Sequence, residues 1–255
     1  MEFPVTDRQK EILERVVSQY ISLAQPISSQ LLDRVYQWGI SQATIRNELQ
    51  ALEEEGFLLQ PHTSAGRIPT DKGYRFFVDE IFGRESDEQT QETLRYEENW
   101  IRDQKDWFTL MLNIARRLAR GSSNLAVLSL GQKEMWWKEG WEELLQEPEF
   151  QSKKHIIEFV EFLHDFEQKA MRLFAARGVS KKLRIYIGGE NPFSRIDGFS
   201  IIIGECGVFT HQGALIAILG PKRMAYPKNI SLMNVVMNLW KRRPTEITQE
   251  RQRKI

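Results

Sequence analysis

The chain has a single cysteine, no excess of either charge and no long apolar run, and each absence excludes a class of protein. Cys206 cannot form a disulfide within the chain, so a disulfide-stabilised secreted fold is excluded. Lys and Arg number 35, as do Asp and Glu, which excludes a uniformly cationic nucleic-acid binder. The longest apolar stretches, such as residues 214–219, have the length of a strand and not of a membrane span. Residues 1–10 lack the basic and apolar segments of an export signal, so we predict a cytoplasmic protein without a membrane partner.

Three helices are predicted near the N-terminus by capping residues and apolar spacing. A capping box at Thr6 begins the first helix, Ser28 or Ser29 caps the second, and Ser41 caps the third. Gly39 supplies a turn between the second and third helices. The side chains expected to face the core from these two helices are Leu31, Leu32, Val35, Ile45, Leu49 and Leu52. Two short helices joined by a glycine turn form the helix-turn-helix pattern.

A hairpin and a further helix follow the third helix. Residues 57–59 and 67–69 have the composition of two strands that are joined by a polar turn. Thr70 or Asp71 begins the next helix. This order of elements predicts a winged helix-turn-helix in residues 1–84.

The whole chain has 255 residues, of which 41% are hydrophobic. The part that follows the predicted winged helix is therefore long enough for a second hydrophobic core. Seven-residue apolar spacing predicts one long amphipathic helix over residues 85–122, which either packs on the C-terminal domain or contributes to a dimer interface. Residues 123–243 alternate short strands and helices, so we predict an α+β fold in which helices cover a sheet. Residues 244–255 have little to bury and are predicted to be a disordered tail. The predicted strands are 125–130, 135–138, 183–187, 199–203 and 214–219, and the predicted helices are 141–146, 154–177 and 231–240.

The third predicted helix carries residue types that can read base edges. Its apolar side faces the core, which leaves its polar side chains for the major groove of DNA. Arg can bind a guanine edge through two hydrogen bonds, Asn and Gln match adenine, and the methyl groups of Thr and Ala can contact thymine. The start of a helix also favours phosphate. The candidate residues on this helix are Ser41, Gln42, Ala43, Thr44, Arg46, Asn47 and Gln50.

The predicted wing and the helix after it supply further DNA contacts. The candidates are His62, Thr63, Ser64 and Arg67 in the wing, with Lys72 and Arg75 at the start of the next helix. These basic and polar side chains stand where DNA phosphates would run. Residues 1–84 hold nine bases and twelve acids, so nonspecific attraction to DNA is weak. Specificity must therefore come from base contacts and from the avidity of a dimer.

Catalytic, metal and cofactor sites find little support in the sequence. Cys206 and His211 form one possible nucleophile and base pair, but a strand cysteine is usually a small buried hydrophobe. His155 and His164 lack the neighbours of a metal site. The loop at residues 188–192 can line a small-molecule pocket, although its composition is more typical of a structural turn. No phosphate-binding glycine motif is present, and we predict a protein that is not an enzyme and has no cofactor or metal.

Two stretches of the N-terminal region are distinctive, residues 41–55 (SQATIRNELQALEEE) and residues 60–74 (QPHTSAGRIPTDKGY). They resemble the signature of the HrcA family of heat-inducible transcription repressors. Looser similarity to that family is found in residues 138–150 (KEGWEELLQEPEF), 187–192 (IGGENP) and 219–226 (LGPKRMAY). The resemblance is close in the N-terminal region and looser in the C-terminal region.

The resemblance implies a dimeric repressor that binds an inverted-repeat operator, the CIRCE element, upstream of chaperone operons. It also implies a winged helix joined to a GAF-like domain, the chaperonin GroEL as a partner that keeps the repressor active, and release of repression by heat. The family positions for DNA recognition correspond to residues 41–50 and 62–67. The chain departs from the family at Ala225, where an acidic residue is usual, and at residues 37–40 (QWGI). Residues 85–125 also leave no room for the family's inserted dimerisation domain, so the chain is a shortened member.

Three functions remain open from the sequence. The first is a sequence-specific repressor of chaperone genes that blocks a promoter. The second is a regulator whose C-terminal GAF-like domain binds a metabolite, and a ligand-shaped pocket with convergent polar groups would favour it. The third is an adaptor that has lost operator affinity and binds another protein, and indifference to DNA sequence would favour it.

Overall fold

The structure, a computed structural model, describes residues 5–82, 107–130, 135–177, 183–206 and 214–242. The chain divides into two compact units, Met1–Glu85 and Ser86–Ile255. The described residues combine helices with antiparallel strands, which confirms the predicted α+β class.

The first unit begins with three helices whose starts follow the capping signals. Their bounds are Asp7–Leu23 for α1, Ser29–Tyr36 for α2 and Gln42–Glu54 for α3. Thr6 and Gln9 form the predicted capping box at α1, while Ser28 caps α2 and Ser41 caps α3. Each of these side-chain oxygens accepts a backbone N–H that the helix itself leaves unpaired.

A small aliphatic core holds the three helices together. Its fully buried members include Ile12, Leu13, Val16, Val17, Leu32, Ile45 and Leu52. Val35 does not join them, so the prediction that it faces inward is wrong: it is 48% exposed. The inward side of α2 runs through Ser29, Leu32 and Tyr36 instead, and the Tyr36 hydroxyl accepts a hydrogen bond from Gln19 Nε2 of α1 at 2.8 Å. Tyr36 therefore takes the place toward α1 that Val35 was expected to fill.

A short hairpin and a fourth helix complete the first unit. Strand β1, Leu58–Leu59, pairs antiparallel with β2, Ile68–Pro69, and α4 spans Asp71–Phe82. Both strands are shorter than predicted. Arg67, expected in the returning strand, pairs with Ile27 instead, because its backbone exchanges two hydrogen bonds of 2.8 and 2.9 Å with that residue. The hairpin is thereby attached to the segment that precedes α2.

In the described part of the second unit, five strands form one antiparallel sheet. Their bounds are Leu125–Leu130 for β3, Met135–Glu139 for β4, Leu183–Ile187 for β5, Phe199–Cys206 for β6 and Ala214–Pro221 for β7. Their order across the sheet is β4, β3, β7, β6, β5. The predicted strands are confirmed, but β6 and β7 run past their predicted ends at residues 203 and 219, since they continue to pair with each other as far as Cys206 and Pro221.

Four α-helices accompany the sheet within the described residues. Their bounds are Trp107–Ser122 for α5, Trp141–Leu144 for α6, Lys153–Arg177 for α7 and Tyr226–Arg242 for α8. Of the long helix predicted over residues 85–122, residues 85–106 lie outside the described residues, as does the predicted tail. α8 begins at Tyr226 and not at residue 231, because Pro227 falls in its first turn, where a missing N–H costs no helical hydrogen bond.

Alternating side chains divide the sheet residues between two packed faces. One face contributes Leu125, Val127, Ile201 and Leu219 to a core that contains Phe159, Phe162 and Phe166 of α7. The other face packs against α5 and α8. At Gly204 the fit is close, because a Cβ there would lie 2.5 Å from the sulfur of Met237 in α8.

Gly73 in α4 provides a test of the packing in the first unit. Replacing a helical glycine by alanine usually stabilises a helix, by about 1 kcal/mol. At Gly73, however, a Cβ would lie 2.2 Å from the carbonyl oxygen of Phe57. We therefore expect Gly73→Ala to lower the free energy of unfolding of the first unit by about 1 to 3 kcal/mol, measured by urea denaturation with far-UV circular dichroism. Gly198→Ala is the matched control, since a Cβ there meets nothing within 4 Å. A Gly73→Ala protein as stable as the wild type would contradict this packing.

Candidate nucleic-acid interface

Two exposed side chains on α3 are available to a partner molecule. Arg46 and Asn47 are exposed, and within the described part of the chain neither has a hydrogen-bond or ion-pair partner. Ile45 and Leu49 are buried, and helical spacing places Arg46 and Asn47 away from that buried side. Ala43 is exposed as well. α3 therefore presents one cation, one amide and one methyl group on its outer side.

Other polar residues of α3 have partners within the helix. Ser41 Oγ accepts a hydrogen bond from the Thr44 backbone N–H at 3.1 Å and lies 2.9 Å from the Thr44 hydroxyl. Gln42 is half-buried. Gln50 is exposed, but its Nε2 donates to Glu54 Oε1 at 3.0 Å. Contact of Ser41, Thr44 or Gln50 with a partner would thus require these hydrogen bonds to be shared or exchanged.

The turn of the hairpin presents three polar side chains. His62, Thr63 and Ser64 are exposed, and none of their side chains has a partner among the residues that the structure describes. The backbone of the turn is fixed from within, because Gln60 Nε2 donates to the carbonyl oxygens of Thr63 at 3.0 Å and Ala65 at 2.9 Å. The backbone of the turn is therefore held in place, while its three polar side chains are available to a partner molecule.

Arg67 is held inside the unit and is not presented to solvent. Its Nε lies 2.8 Å from Glu53 Oε2, and its side chain is only 16% exposed. Glu53 Oε1 also accepts a hydrogen bond from the Gln60 backbone N–H at 3.2 Å. Arg67 is one of the predicted DNA contacts, but such a contact would require the ion pair with Glu53 to open.

Lys72 and Arg75, the other two cations expected at phosphates, also have internal partners. Lys72 Nζ donates to the backbone carbonyl of Glu55 at 2.8 Å and lies 4.0 Å from the centre of the Phe57 ring. Arg75 Nη1 lies 3.3 Å from Asp79 Oδ1, one turn along α4. Both are at the surface, where such pairs are weak and easily exchanged.

The turn between α2 and α3 is anchored to α1 by aromatic residues. Trp38 stacks on Tyr36 with 5.1 Å between the ring centres, and its Nε1 donates to Glu11 Oε1 at 2.8 Å. The Arg15 guanidinium lies 5.0 Å from the centre of the Tyr36 ring. The unusual QWGI segment thus fixes where α3 begins relative to α1.

Glu53 and Gln60 are not among the residues predicted from the sequence to have a role in the site. For Gln60 a signal was present, since an amide side chain placed just before a polar turn can donate to the carbonyl groups of that turn. For Glu53 there was none, because it looked like one of three consecutive acids at the end of a helix. Its partner Arg67 approaches only when the hairpin folds back.

The loop after β5 is a structural turn built on the buried side chain of Asn191, which is 7% exposed. Asn191 Oδ1 accepts hydrogen bonds from the backbone N–H groups of Phe193 at 3.2 Å and Ser194 at 2.8 Å. Its Nδ2 donates to the carbonyl oxygens of Gly188 at 2.7 Å and Ile196 at 3.2 Å. The amide has no capacity left for a ligand, which favours the structural interpretation of this loop.

A buried ion cluster joins two stretches of the second unit, residues 138–150 and 219–226. The Arg223 side chain is 9% exposed, with Nε 2.6 Å from Glu149 Oε1 and Nη2 in contact with Glu147 Oε2. Burial alone lowers the pKa of Arg223, but hydrogen bonds and charge attraction from Glu149 and Glu147 outweigh it, so the pKa is raised above its usual value. Arg223 therefore keeps its charge and ties the two segments together.

The other residues considered for catalysis or metal binding are not brought together. In the described part of the chain, no group of three or more His, Cys, Asp or Glu side chains could hold a metal ion. His155 contacts the Glu149 carbonyl, and His164 contacts Gln168 of the same helix. The side chain of Cys206 and the whole of His211 lie outside the described residues. None of the helices that the structure describes is both long and apolar enough to span a membrane.

Comparison with known proteins relates the chain to transcription repressors. Residues 75–230 match the family model described as HrcA protein C terminal domain. The heat-inducible transcription repressor HrcA of Caldanaerobacter subterraneus subsp. tengcongensis is 62% identical over 78 residues, which are 31% of this chain and 23% of that protein. The protein of the same name from Roseiflexus castenholzii is 25% identical over 334 residues, covering 91% of this chain and 92% of that protein.

A solved crystal structure, described only as a hypothetical protein, shares the fold. Its TM-score is 0.73 at 19% identity, and the match covers 93% of this chain and 98% of that one. The alignment with the Roseiflexus protein has 334 positions, more than the 255 residues of this chain, so that relative carries segments with no counterpart here. The difference agrees with the prediction of a shortened chain. The alignment with the Caldanaerobacter protein spans less than a quarter of that relative's length.

Asn191 tests the structural interpretation of the loop after β5. We expect Asn191→Ala to lower the free energy of unfolding by about 1 to 3 kcal/mol, because it leaves buried backbone groups without hydrogen-bond partners. Urea denaturation followed by circular dichroism measures the loss. Asn47→Ala is the control, since Asn47 is exposed and has no partner among the described residues. Equal stability of the two variants would remove the structural role of Asn191.

Proposed function

The chain belongs to the HrcA family, and on that premise we propose that it is a transcription repressor that binds DNA through its first unit. The relatives are named heat-inducible transcription repressors. The observation that carries the proposal is the pair Arg46 and Asn47, exposed and without partners in the described part of the chain, on a helix followed by a hairpin. No catalytic step is needed for this activity, so we propose that the protein is not an enzyme.

The order of elements in the first unit supports a winged helix-turn-helix. α2 and α3 are joined by a short turn that contains two residues of positive φ, Gln37 and Gly39, and the β1–β2 hairpin follows α3. In this class of protein the second helix of the pair enters the major groove and its N-terminal residues reach base edges. We assign that role to α3 and the role of the wing to the hairpin.

The side chains with no internal partner are our proposed primary contacts. Arg46 suits a guanine edge, Asn47 suits adenine, and Ala43 can meet a thymine methyl group. In the wing, the free polar groups suit phosphate or the minor groove. The proposed contacts of this kind are His62, Thr63 and Ser64. Ser41, Gln42, Thr44, Gln50, Lys72 and Arg75 are proposed as secondary contacts, because they lie beside the primary set and most would exchange an internal partner for DNA.

The charge of the chain favours a dimeric binding mode. With a net formal charge of zero, nonspecific attraction to phosphate is small, so useful affinity requires two copies to bind together. We propose that two first units read the two halves of an inverted repeat of CIRCE type and that the repressor acts by blocking a promoter of chaperone genes. GroEL as a partner, a GAF-like C-terminal domain and a cytoplasmic location stay predictions from the sequence.

A metabolite-responsive regulator is the less favoured alternative. The loop that offered polar groups for a ligand uses both atoms of the Asn191 amide on its own backbone.

The test of the proposed function is fluorescence anisotropy with a labelled CIRCE-type inverted repeat and with a scrambled duplex, over a range of salt concentrations. We expect a preference for the inverted repeat that persists as salt is raised, and two chains per duplex. A preference that depends on base contacts survives salt better than phosphate attraction does. Equal binding to the two duplexes would refute sequence-specific repression at this operator.

Arg46 provides the residue-level test. We expect Arg46→Ala to weaken binding to the inverted repeat by about 1 to 3 kcal/mol and to relax base preference at one position of each half-site. Binding titrations with base-substituted operators measure both effects. Arg195→Ala is the matched control, because Arg195 is also exposed and without a partner in the described part of the chain but lies in the second unit. An equal loss on scrambled DNA would show that Arg46 contacts phosphate and not a base.

A further inference from the structure

We infer that Glu53 is a positioning residue for DNA recognition, which holds the wing against the end of α3 through Arg67 and Gln60. In this arrangement Arg67 is a brace and not a DNA contact. The inference rests on the proposed function, since it describes how the DNA-binding surface is kept in shape.

Both carboxylate oxygens of Glu53 are directed at the hairpin. Oε2 lies 2.8 Å from Arg67 Nε, and Oε1 accepts the backbone N–H of Gln60 at 3.2 Å. Gln60 follows β1 directly and Arg67 precedes β2 directly. One side chain in the last turn of α3 therefore fixes both sides of the hairpin where the turn begins.

Gln60 in turn holds the backbone of the hairpin turn. The Gln60 side chain donates to the carbonyl oxygens of Thr63 and Ala65, so the turn backbone is held by the residue that Glu53 anchors. The side chains of His62, Thr63 and Ser64 have no partners of their own in the described residues. Where they stand relative to α3 depends on this backbone connection.

A second attachment limits how far Arg67 can move. Its backbone exchanges hydrogen bonds with Ile27, and a Cβ on the neighbouring Gly66 would lie 2.4 Å from the Ile27 carbonyl carbon. A side chain at this position would therefore clash with the Ile27 backbone. Swinging the guanidinium toward DNA would break its pair with Glu53 while its backbone stayed fixed, which makes a bracing role the better fit.

The sign of a charge effect separates this role from ordinary electrostatics. Removing an acid from a DNA-binding surface reduces repulsion of phosphate and normally strengthens binding. Removing Glu53 should do the opposite if it positions the wing. Glu54 is the adjacent acid at the same helix end; it is exposed and accepts a hydrogen bond from Gln50.

The first experiment compares Glu53→Gln with Glu54→Gln in the full chain. Both variants lose one negative charge and keep a carbonyl oxygen as an acceptor. We expect Glu54→Gln to bind the inverted repeat as tightly as the wild type or more tightly, and Glu53→Gln to bind about ten-fold more weakly. Equal affinities of the two variants, or tighter binding by Glu53→Gln, would overturn the inference.

The second experiment exchanges the charges of the pair. Arg67→Glu places two carboxylates together and should lose operator preference. Glu53→Arg combined with Arg67→Glu restores the ion pair and should restore part of the preference, because a guanidinium cannot accept the Gln60 N–H. If Arg67 itself bound DNA, the exchange would restore nothing, and that result also overturns the inference. Thermal melting by circular dichroism checks folding, and if Arg67→Glu does not fold, the Gln variants decide the matter alone.

Amide hydrogen exchange in the absence of DNA gives a readout that is independent of the operator. The Gln60 N–H donates to Glu53, and Glu53→Gln weakens this bond because it loses the charge on the acceptor and the ion pair with Arg67 that holds the side chain in place. We expect Gln60 exchange to accelerate in Glu53→Gln and not in Glu54→Gln, while the Ile45 amide in α3 is unchanged in both. If the wild type shows no operator preference, the proposed function fails and faster Gln60 exchange reports only a structural brace. If the wild type prefers the operator but the two Gln variants behave alike, the inference alone fails.

Discussion

Arg67 joins two segments that are distant along the chain, and the form of the first unit depends on that junction. Its backbone exchanges hydrogen bonds with Ile27, ahead of α2, and its guanidinium is paired with Glu53 at the end of α3. The helices themselves are fixed by caps and by an aliphatic core, to which the hairpin contributes Leu58. Two strands of two residues each are too short to hold a fixed position by pairing alone. The junction supplies what the strands lack, and only a residue without a Cβ can stand at Gly66 beside it.

Internal pairing of this kind also determines how much of the unit's positive charge is available to DNA. Arg67, Lys72 and Arg75 looked available to phosphate in the sequence, yet each has an internal partner. Arg46 is the one cation of the predicted DNA-binding set that has no partner in the described residues. A surface of this kind attracts DNA weakly from a distance and discriminates at contact, because most of its binding energy must come from a few directed hydrogen bonds. Weak attraction at a distance, together with discrimination at contact, suits a repressor that must dissociate readily from nonspecific DNA.

The sequence predicted correctly those features that depend on residues close together in the chain, and it failed where distant segments come into contact. Helix starts were predictable because a capping side chain and the N–H that it accepts are three residues apart, as at Thr6, Ser28 and Ser41. The exposure of Arg46 and Asn47 was predictable because helical spacing alone puts them opposite Ile45 and Leu49. Val35 was misplaced because Tyr36 reaches across to α1, a contact that spacing within α2 does not reveal. The role of Glu53 was out of reach for the same reason, since its partner Arg67 approaches only in the folded hairpin.

The contacts described above that position α3 and the hairpin join residues of the first unit, and this has a consequence for the division of labour in the chain. Trp38 and Tyr36 fix the start of α3 against α1, and Glu53 fixes its end against the hairpin. The proposed reading of one half-site thus depends on contacts among residues of the first unit. Pairing two half-sites is a separate task, which requires a second copy of the chain and a surface outside this network. A shortened member of the family can therefore differ from its longer relatives in how its copies associate while reading each half-site with the same elements, because the two tasks depend on different residues.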